Sequence, residues 1–117
     1  MSTTQKKFLC LFRFPTSEWP ARPSSSPEEM QKQYAAWQAW MKKFEKELLP
    51  GDGLTPGGAV LKGGNVTDGP YIEAKEVVAS YSMLQTDSLA RAMEIIKECP
   101  IGPDDSVEIR ELAGYSR

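Results

Sequence analysis

The densest group of side chains that could do chemistry lies in the segment Thr67-Asp-Gly-Pro-Tyr-Ile-Glu-Ala-Lys-Glu76. This segment brings three carboxylates, from Asp68, Glu73 and Glu76, close in sequence to the ammonium group of Lys75. In an extended segment, Glu73 and Lys75 share one face while Glu76 projects to the other. Carboxylates can act as general acids and bases when burial shifts their pKa values. These four residues are therefore the catalytic candidates.

The same segment also has a purely structural interpretation. Asp68 precedes Gly69 and Pro70, a combination that is typical of turns. Glutamate and lysine side chains can pair across a solvated strand edge, where such pairs add little to stability. Spacing alone favours this structural interpretation.

Composition excludes several classes of site. The 117 residues include 14 basic and 16 acidic side chains but no histidine, for a net charge of −2. Without histidine the chain has no imidazole-based triad, zinc ligand or pH switch. The charge balance also lacks the basic surface that nucleic-acid binding usually needs, and Gly57-Gly58 and Gly63-Gly64 lack the spacing of a phosphate loop. We expect no cofactor, no metal and no nucleic-acid partner.

Length and hydropathy predict a single cytoplasmic domain over residues 1–117. Hydrophobic residues make up 40% and charged residues 26% of the chain, the profile of an ordinary soluble domain. The apolar run at residues 8–12 is interrupted by Arg13 and is too short for a signal peptide or a membrane span. We therefore expect no membrane partner, and we expect Cys10 and Cys99 to remain reduced thiols.

Periodicity predicts the element order β-α-β-β-α-β. The predicted elements are a strand over residues 7–14, a helix from Ser26 to about Leu49, a strand over 59–61, a turn over 65–70, a strand over 76–85, a helix from Asp87 to Cys99 and a strand over 106–112. This order is that of the ferredoxin-like α+β fold, a four-stranded antiparallel sheet with two helices on one face. The other sheet face, which includes Leu9 and Leu11, is apolar and must meet water or a partner. We expect it to form a homodimer with a second copy of the chain.

Aromatic residues indicate where a small-molecule ligand would bind. Tyr34 and Trp37 lie on the apolar stripe of the first helix, although such a stripe is more often plain core than a pocket wall. Tyr81 lies in the strand over 76–85, where alternation places Val77, Ala79 and Met83 on the same face. The ligand-binding candidates are Arg13, Tyr34, Trp37, Asp68 and Tyr81.

Arg13 stands out because it is charged and lies on an apolar strand face with Leu9 and Leu11. A lone guanidinium is costly on such a surface, so a carboxylate from the Asp68–Glu76 segment is the expected partner, in the same subunit or across the dimer. In the alternative interpretation, Arg13 lies past the covered part of the strand and its charge reaches water.

Residues 66–85, VTDGPYIEAKEVVASYSMLQ, closely resemble the signature of the DGPF branch of the YCII-related family, V-T-D-G-P-[FY]-x-E-x-K-E followed by a strand. The helix start SPEEM, the segment SLARAMEIIKECP and the closing VEIRELA are similar in order, so the resemblance covers nearly the whole chain. It implies a ferredoxin-like fold that pairs through its sheets into a dimeric α/β barrel, but it implies little about activity. Some relatives are thought to use a His–Asp pair, which this chain cannot supply. Ser80 stands where the family usually has a glycine before the strand tyrosine.

Two classes of function remain open. One is a small-molecule-binding or regulatory protein whose pocket lies between the first helix, the sheet and the Asp68–Glu76 segment. The alternative is a cofactor-free lyase or isomerase that uses the carboxylates and Lys75 on a small acid, for example an aromatic one. The enzyme hypothesis requires those carboxylates to be buried with shifted pKa values.

Overall fold

The computed structural model describes residues 5–18, 26–55, 57–69 and 75–114. Its elements are β1 (Lys6–Pro15), a short 3-10 turn (Thr16–Glu18), α1 (Pro27–Lys43), β2 (Leu48–Gly53), β3 (Ala59–Lys62), β4 (Asn65–Asp68), β5 (Glu76–Thr86), α2 (Leu89–Lys97) and β6 (Ser106–Glu111). A four-stranded antiparallel sheet has the order β2-β5-β1-β6, and β3 and β4 form a separate hairpin. The order is consistent with the predicted ferredoxin-like α+β fold. Neither helix of the described residues is long and apolar enough to cross a membrane.

Side-chain caps start both helices. The Oγ of Ser26 accepts a hydrogen bond from the backbone N–H of Glu29 at 3.1 Å, and Pro27 opens α1, as predicted. The cap of α2 is Ser88, whose Oγ accepts from the N–H of Arg91 at 3.1 Å. The predicted start of this helix at Asp87 was therefore wrong by one residue, since Ser88 caps the N–H of the third residue of α2.

The predicted end of the first helix, near Leu49, is wrong. Helix α1 ends at Lys43 with Phe44 as its C-cap, and Leu48 already belongs to β2. Phe44 and Leu48 keep the helical spacing, but Leu48 packs on the core from a strand instead. Pro50 has no N–H to donate, which an edge strand such as β2 tolerates.

The second strand of the sheet is consequently β2 and not the predicted strand over residues 59–61. Residues Ala59–Lys62 do form a strand, but they pair with Asn65–Asp68, which the sequence predicted to be a turn. The actual turn is Gly63-Gly64, where both residues have positive φ (58° and 81°), the conformation of a two-residue hairpin loop. Because the hairpin is separate from the sheet, Leu61 and Val66 remain 71% and 70% exposed.

The core lies between the two helices and one face of the sheet, as predicted. Its buried members are Phe8, Cys10, Phe12, Trp40, Phe44, Leu84, Ala92, Ile95, Ile96 and Cys99. Both cysteines are free. Burial raises the pKa of each thiol to about 11, so neither forms a reactive thiolate near neutral pH.

A bulge in β5 changes which of its side chains reach the core. Phe12 pairs with Ser80 but Arg13 pairs with Val78, so Ala79 is the extra residue. The insertion places Val77 opposite Phe14 and buries it. The prediction that Val77 shares a face with Tyr81 is therefore wrong, because simple alternation does not allow for a bulge.

Candidate ligand-binding site

The catalytic candidates have different surroundings. Asp68 is exposed at the end of the hairpin strand β4, and Lys75 is exposed before β5. The carbonyl of Lys75 accepts hydrogen bonds from the N–H of Thr16 at 2.8 Å and from its Oγ1 at 3.0 Å. Glu76 is half-buried and accepts a hydrogen bond from Ser106 Oγ at 2.9 Å. Glu73 lies outside the described residues.

Arg13 is paired, but not with the segment that the sequence suggested. Its Nη1 lies 2.7 Å from Oε1 of Glu108 on the neighbouring strand β6. The Arg13 guanidinium lowers the pKa of the Glu108 carboxyl, mainly through this hydrogen bond. Cross-strand neighbours in β6 were overlooked because the polar segment before β5 looked like the nearer source of charge. The Arg13 side chain is 25% exposed, and pairs at partly exposed sites add little to stability.

Four aromatic rings form a continuous row from the sheet along α1. Phe12 meets Trp37 at a centroid distance of 5.9 Å, Trp37 meets Trp40 at 5.6 Å, and Trp40 meets Phe44 at 6.2 Å. All three contacts are edge-to-face, the preferred geometry of aromatic pairs. The indole N–H of Trp40 donates to the carbonyl of Ile95 at 2.9 Å and so joins α1 to α2. These contacts hold the rings of Phe12, Trp37, Trp40 and Phe44 in place, and we call them the aromatic wall.

A cavity of about 590 Å³ lies beside this wall, between α1, β2 and β5. Its lining residues are Phe12, Trp37, Trp40, Met41, Glu45, Leu48, Leu49, Pro50, Gly51, Asp52, Gly53, Ser80, Tyr81 and Ser82. The volume is within the range of small-molecule sites. Of the predicted ligand residues, Trp37 and Tyr81 line it. Tyr34, which is 67% exposed, does not line it, and neither do Arg13 and Asp68.

The rim of the cavity is shaped by a bulge in β2. Leu49 pairs with Met83 and Asp52 with Tyr81, so Pro50 and Gly51 together stand opposite the single residue between those partners. A Cβ built on Gly51 would lie 2.6 Å from the Cα of Ser82 and even closer to the carbonyl oxygen of Tyr81. Only glycine fits this approach of the two backbones.

The lining residues with polar side chains are Glu45, Asp52, Ser80, Tyr81 and Ser82, and the register places Asp52 and its partner Tyr81 on the sheet face opposite the helices. One Asp52 oxygen accepts from the N–H of Gly53 at 2.8 Å. The Oγ of Ser82 is buried against the thiol of Cys10, a weak partner, and makes no other hydrogen bond within the described residues. Sequence analysis missed Glu45, Asp52 and Ser82, because their grouping depends on a strand that resembled a loop.

The model of the YCII-related domain matches residues 12–115, which include the aromatic wall and the strands around the cavity. The chain belongs to the YCII-related family. No curated protein matches it. The matched model is that of the whole family, so assignment to the DGPF branch stays a prediction based on the motif at residues 66–76.

The described part of that motif has a structural role in this YCII-related domain. The N–H of Gly69 donates to the carbonyl of Gly58 at 2.8 Å and closes the base of the hairpin. A Cβ at Gly69 would lie 2.9 Å from the backbone nitrogen of Ala59. This glycine is therefore explained by close backbone approach.

Two further cavities lie in the described part of this YCII-related domain. One of about 290 Å³ shares Phe12, Trp37 and Ser80 with the first and is also lined by Arg13. The other, of about 490 Å³, is polar and contains a bidentate pair in which Arg91 Nε and Nη2 lie 2.8 and 2.9 Å from the two oxygens of Glu47. Hydrogen bonding to Arg91 lowers the pKa of Glu47. Because Arg91 and Glu47 pair with each other, neither is available to bind a charged ligand in the 490 Å³ cavity.

Proposed function

We propose that this YCII-related domain is a small-molecule-binding protein whose ligand has a flat apolar body and occupies the 590 Å³ cavity. The observation that carries the proposal is the aromatic wall of Phe12, Trp37 and Trp40 beside an accessible volume of suitable size. Trp37 is only half-buried and Met41 is exposed, although both line the cavity. A bound ring would cover these apolar surfaces and add aromatic contacts.

The alternative, a cofactor-free lyase or isomerase, lacks this kind of support. Asp68, Lys75 and Glu76 line neither the main cavity nor its two neighbours. Asp68 and Lys75 are exposed, whereas the enzyme hypothesis requires buried groups. A regulatory role, in which ligand occupancy is the signal, is compatible with binding alone.

Binding is tested with indole, a neutral bicyclic probe that matches the width of an aromatic slot. We expect indole to raise the melting temperature, because a ligand at 100 times its Kd stabilises the native state by about 2.7 kcal/mol. Replacing Trp37 with leucine should weaken binding roughly threefold to tenfold through loss of the ring contacts. Calorimetric titration gives both affinities.

The matched control is Tyr34→Leu, which removes an aromatic ring from the same helix outside the cavity. Its indole affinity should equal that of the unsubstituted protein. Equal losses in both variants, or no binding of indole at any soluble concentration, would contradict the proposal.

We also propose that the open sheet face forms a homodimer, which would complete a dimeric α/β barrel. Pairing partners share a face, and on the face opposite the helices the register groups Leu9 with Met83, Leu11 with Tyr81, and Leu49 with Met83. This apolar strip crosses three strands, and its residues are only partly buried in the single chain. Covering such a surface favours association.

Sedimentation at micromolar concentration should therefore give a mass twice that of one chain, which is 13.0 kDa. Leu11→Arg places a charge at the centre of the strip and should produce monomers. Leu61→Arg, a change of the same kind on the exposed hairpin, should leave the dimer intact. A mass of one chain for the unsubstituted protein would refute the dimer.

A further inference from the structure

We infer that the outer edge of β6 is a second interaction surface and that it pairs with the β6 edge of another copy of the chain. The two strands run antiparallel about a two-fold axis at Ile109, so that Glu108 faces the partner's Arg110. This contact uses a sheet edge, whereas the proposed dimer uses the open sheet face, so both can form together. Edge pairing would join two four-stranded sheets into one sheet of eight strands.

The two edges of the sheet differ in their ability to accept another strand. At one edge, β2 contains a bulge and Pro50, and both features obstruct strand addition. At the other edge, β6 has six residues without proline or glycine, and its register with β1 has no bulge. Within the described residues, β6 pairs with no strand except β1. The β6 edge is therefore the one that can be extended.

The hydrogen-bonding pattern of β6 identifies the backbone groups that face outwards. The N–H of Leu112 donates to the carbonyl of Lys7 at 2.8 Å. Because antiparallel hydrogen-bonded pairs recur at every second residue, the even-numbered residues of β6 bond to β1. The N–H and C=O groups of Val107, Ile109 and Glu111 point to the other side, where the described parts of the chain offer no strand to bond them. A partner strand can bond at these three positions.

Charge selects one of the two-fold registers that this pattern allows. An axis at Glu108 would place that carboxylate opposite its own copy, and an axis at Arg110 would do the same with two guanidinium groups. An axis at Ile109 instead places Glu108 opposite the partner's Arg110, on both sides of the axis. Opposite charges that face each other across strands stabilise the pairing, and like charges destabilise it. Only the register centred on Ile109 is therefore self-complementary.

The side chains are available for this contact. Arg110 is 70% exposed, and its Nη1 lies 3.4 Å from Oε2 of Glu108 in its own chain. The other oxygen of Glu108, Oε1, is held by Arg13 at 2.7 Å. Arg110 can therefore turn to the partner's Glu108 without breaking the pair with Arg13. On the helix face of the sheet, Ile109 packs against the core but is only half-buried, so contact with Ile109 of the partner subunit would cover more of it.

Light scattering over a range of concentrations tests the second association step. The mass should rise from two chains at about 10 µM towards four chains at about 500 µM, because a contact of this size associates weakly. Arg110→Glu places two carboxylates opposite each other on both sides of the axis and should weaken this step at least about tenfold. The control Lys32→Glu makes the same change in net charge at an exposed position of α1 and should leave the step unchanged.

Cross-linking tests the register. In the proposed pairing, the two Ile109 Cα atoms form a hydrogen-bonded pair about 5.5 Å apart, within the range of a disulfide. Ile109→Cys treated with a mild oxidant should therefore give a covalent dimer on non-reducing electrophoresis. Val107→Cys is the matched control, because position 107 faces the partner's Glu111 and lies too far from its own copy. Both native cysteines are buried and should not cross-link.

The outcomes separate this contact from the open-face dimer. A second association step that Arg110→Glu removes, together with cross-linking at position 109 and not at 107, supports edge pairing. A mass that does not rise with concentration, a step that Arg110→Glu leaves intact, or equal cross-linking at both positions overturns it. If the mass rises from one chain to two, Arg110→Glu stays at one chain and only position 109 cross-links, the edge contact stands and the open-face dimer fails.

Discussion

Replacing Gly51 with alanine should destabilise the domain by about 3 kcal/mol, the upper part of the usual range for forcing atoms into packed space. The new methyl group would overlap the backbone of Tyr81 and Ser82, at 2.6 Å from the Cα of Ser82. Backbone atoms of a central strand cannot rotate away as a side chain can. Either β2 leaves the sheet or the pairing with β5 distorts.

The control is Gly53→Ala, two residues further along the same exposed strand. A Cβ at Gly53 meets nothing within 4 Å, so its free energy of unfolding should change by no more than about 0.5 kcal/mol. Urea denaturation of the two variants gives the comparison. Similar stabilities of the two variants would show that the close approach of the β2 and β5 backbones at Gly51 is not present in solution. Both glycines line the cavity, but only a Cβ at Gly51 would displace the strand that forms its rim, so indole affinity should fall in the first variant only.

Trp40→Ala should cost about 3–5 kcal/mol, a large share of the roughly 5–15 kcal/mol that holds a domain together. Trp40 is 6% exposed, touches two aromatic neighbours and donates to the Ile95 carbonyl across the helix interface. Its removal leaves a cavity at the point where α1 and α2 meet.

Trp40→Phe still tests the contribution of Trp40 to stability if the alanine variant does not fold. It retains an aromatic ring but loses the N–H donor, which costs about 1 kcal/mol, together with part of the packing. Tyr34→Ala, which removes an exposed ring from the same helix, should change stability by about 0.5 kcal/mol or less. Equal effects at positions 34 and 40 in thermal unfolding would contradict the aromatic wall.

Local signals in the sequence were sufficient for β1, β5, β6 and the start of α1. The alternation of β1 and the cap at Ser26 depend on neighbouring residues, and both are as predicted. Local signals could not predict the end of α1. Leu48 is four residues after Phe44, as on one face of a helix, but it packs on the core from strand β2. Only competition between helix propagation and pairing with β5 decides that boundary.

The candidate site was predictable only in part for the same reason. Trp37 and Tyr81 are large aromatic residues on predicted core elements, so residue type pointed to them. Residues 48–53 line the cavity because α1 stops early and β2 bulges, and both events depend on contacts distant in sequence. Arg13 pairs with Glu108 of β6, which is more than 90 positions away in the chain, so local sequence signals could not predict this pair.

The hairpin of β3 and β4 has a consequence for how such a chain can change over generations. A hydrogen bond between Gly58 and Gly69 joins the two ends of the hairpin, so residues 59–68 are attached to the rest of the domain at one point. Insertions, deletions or replacement of residues 59–68 can therefore be accommodated without moving any strand of the four-stranded sheet. Selection can vary the length and surface of this appendage independently of the scaffold that carries the ligand cavity.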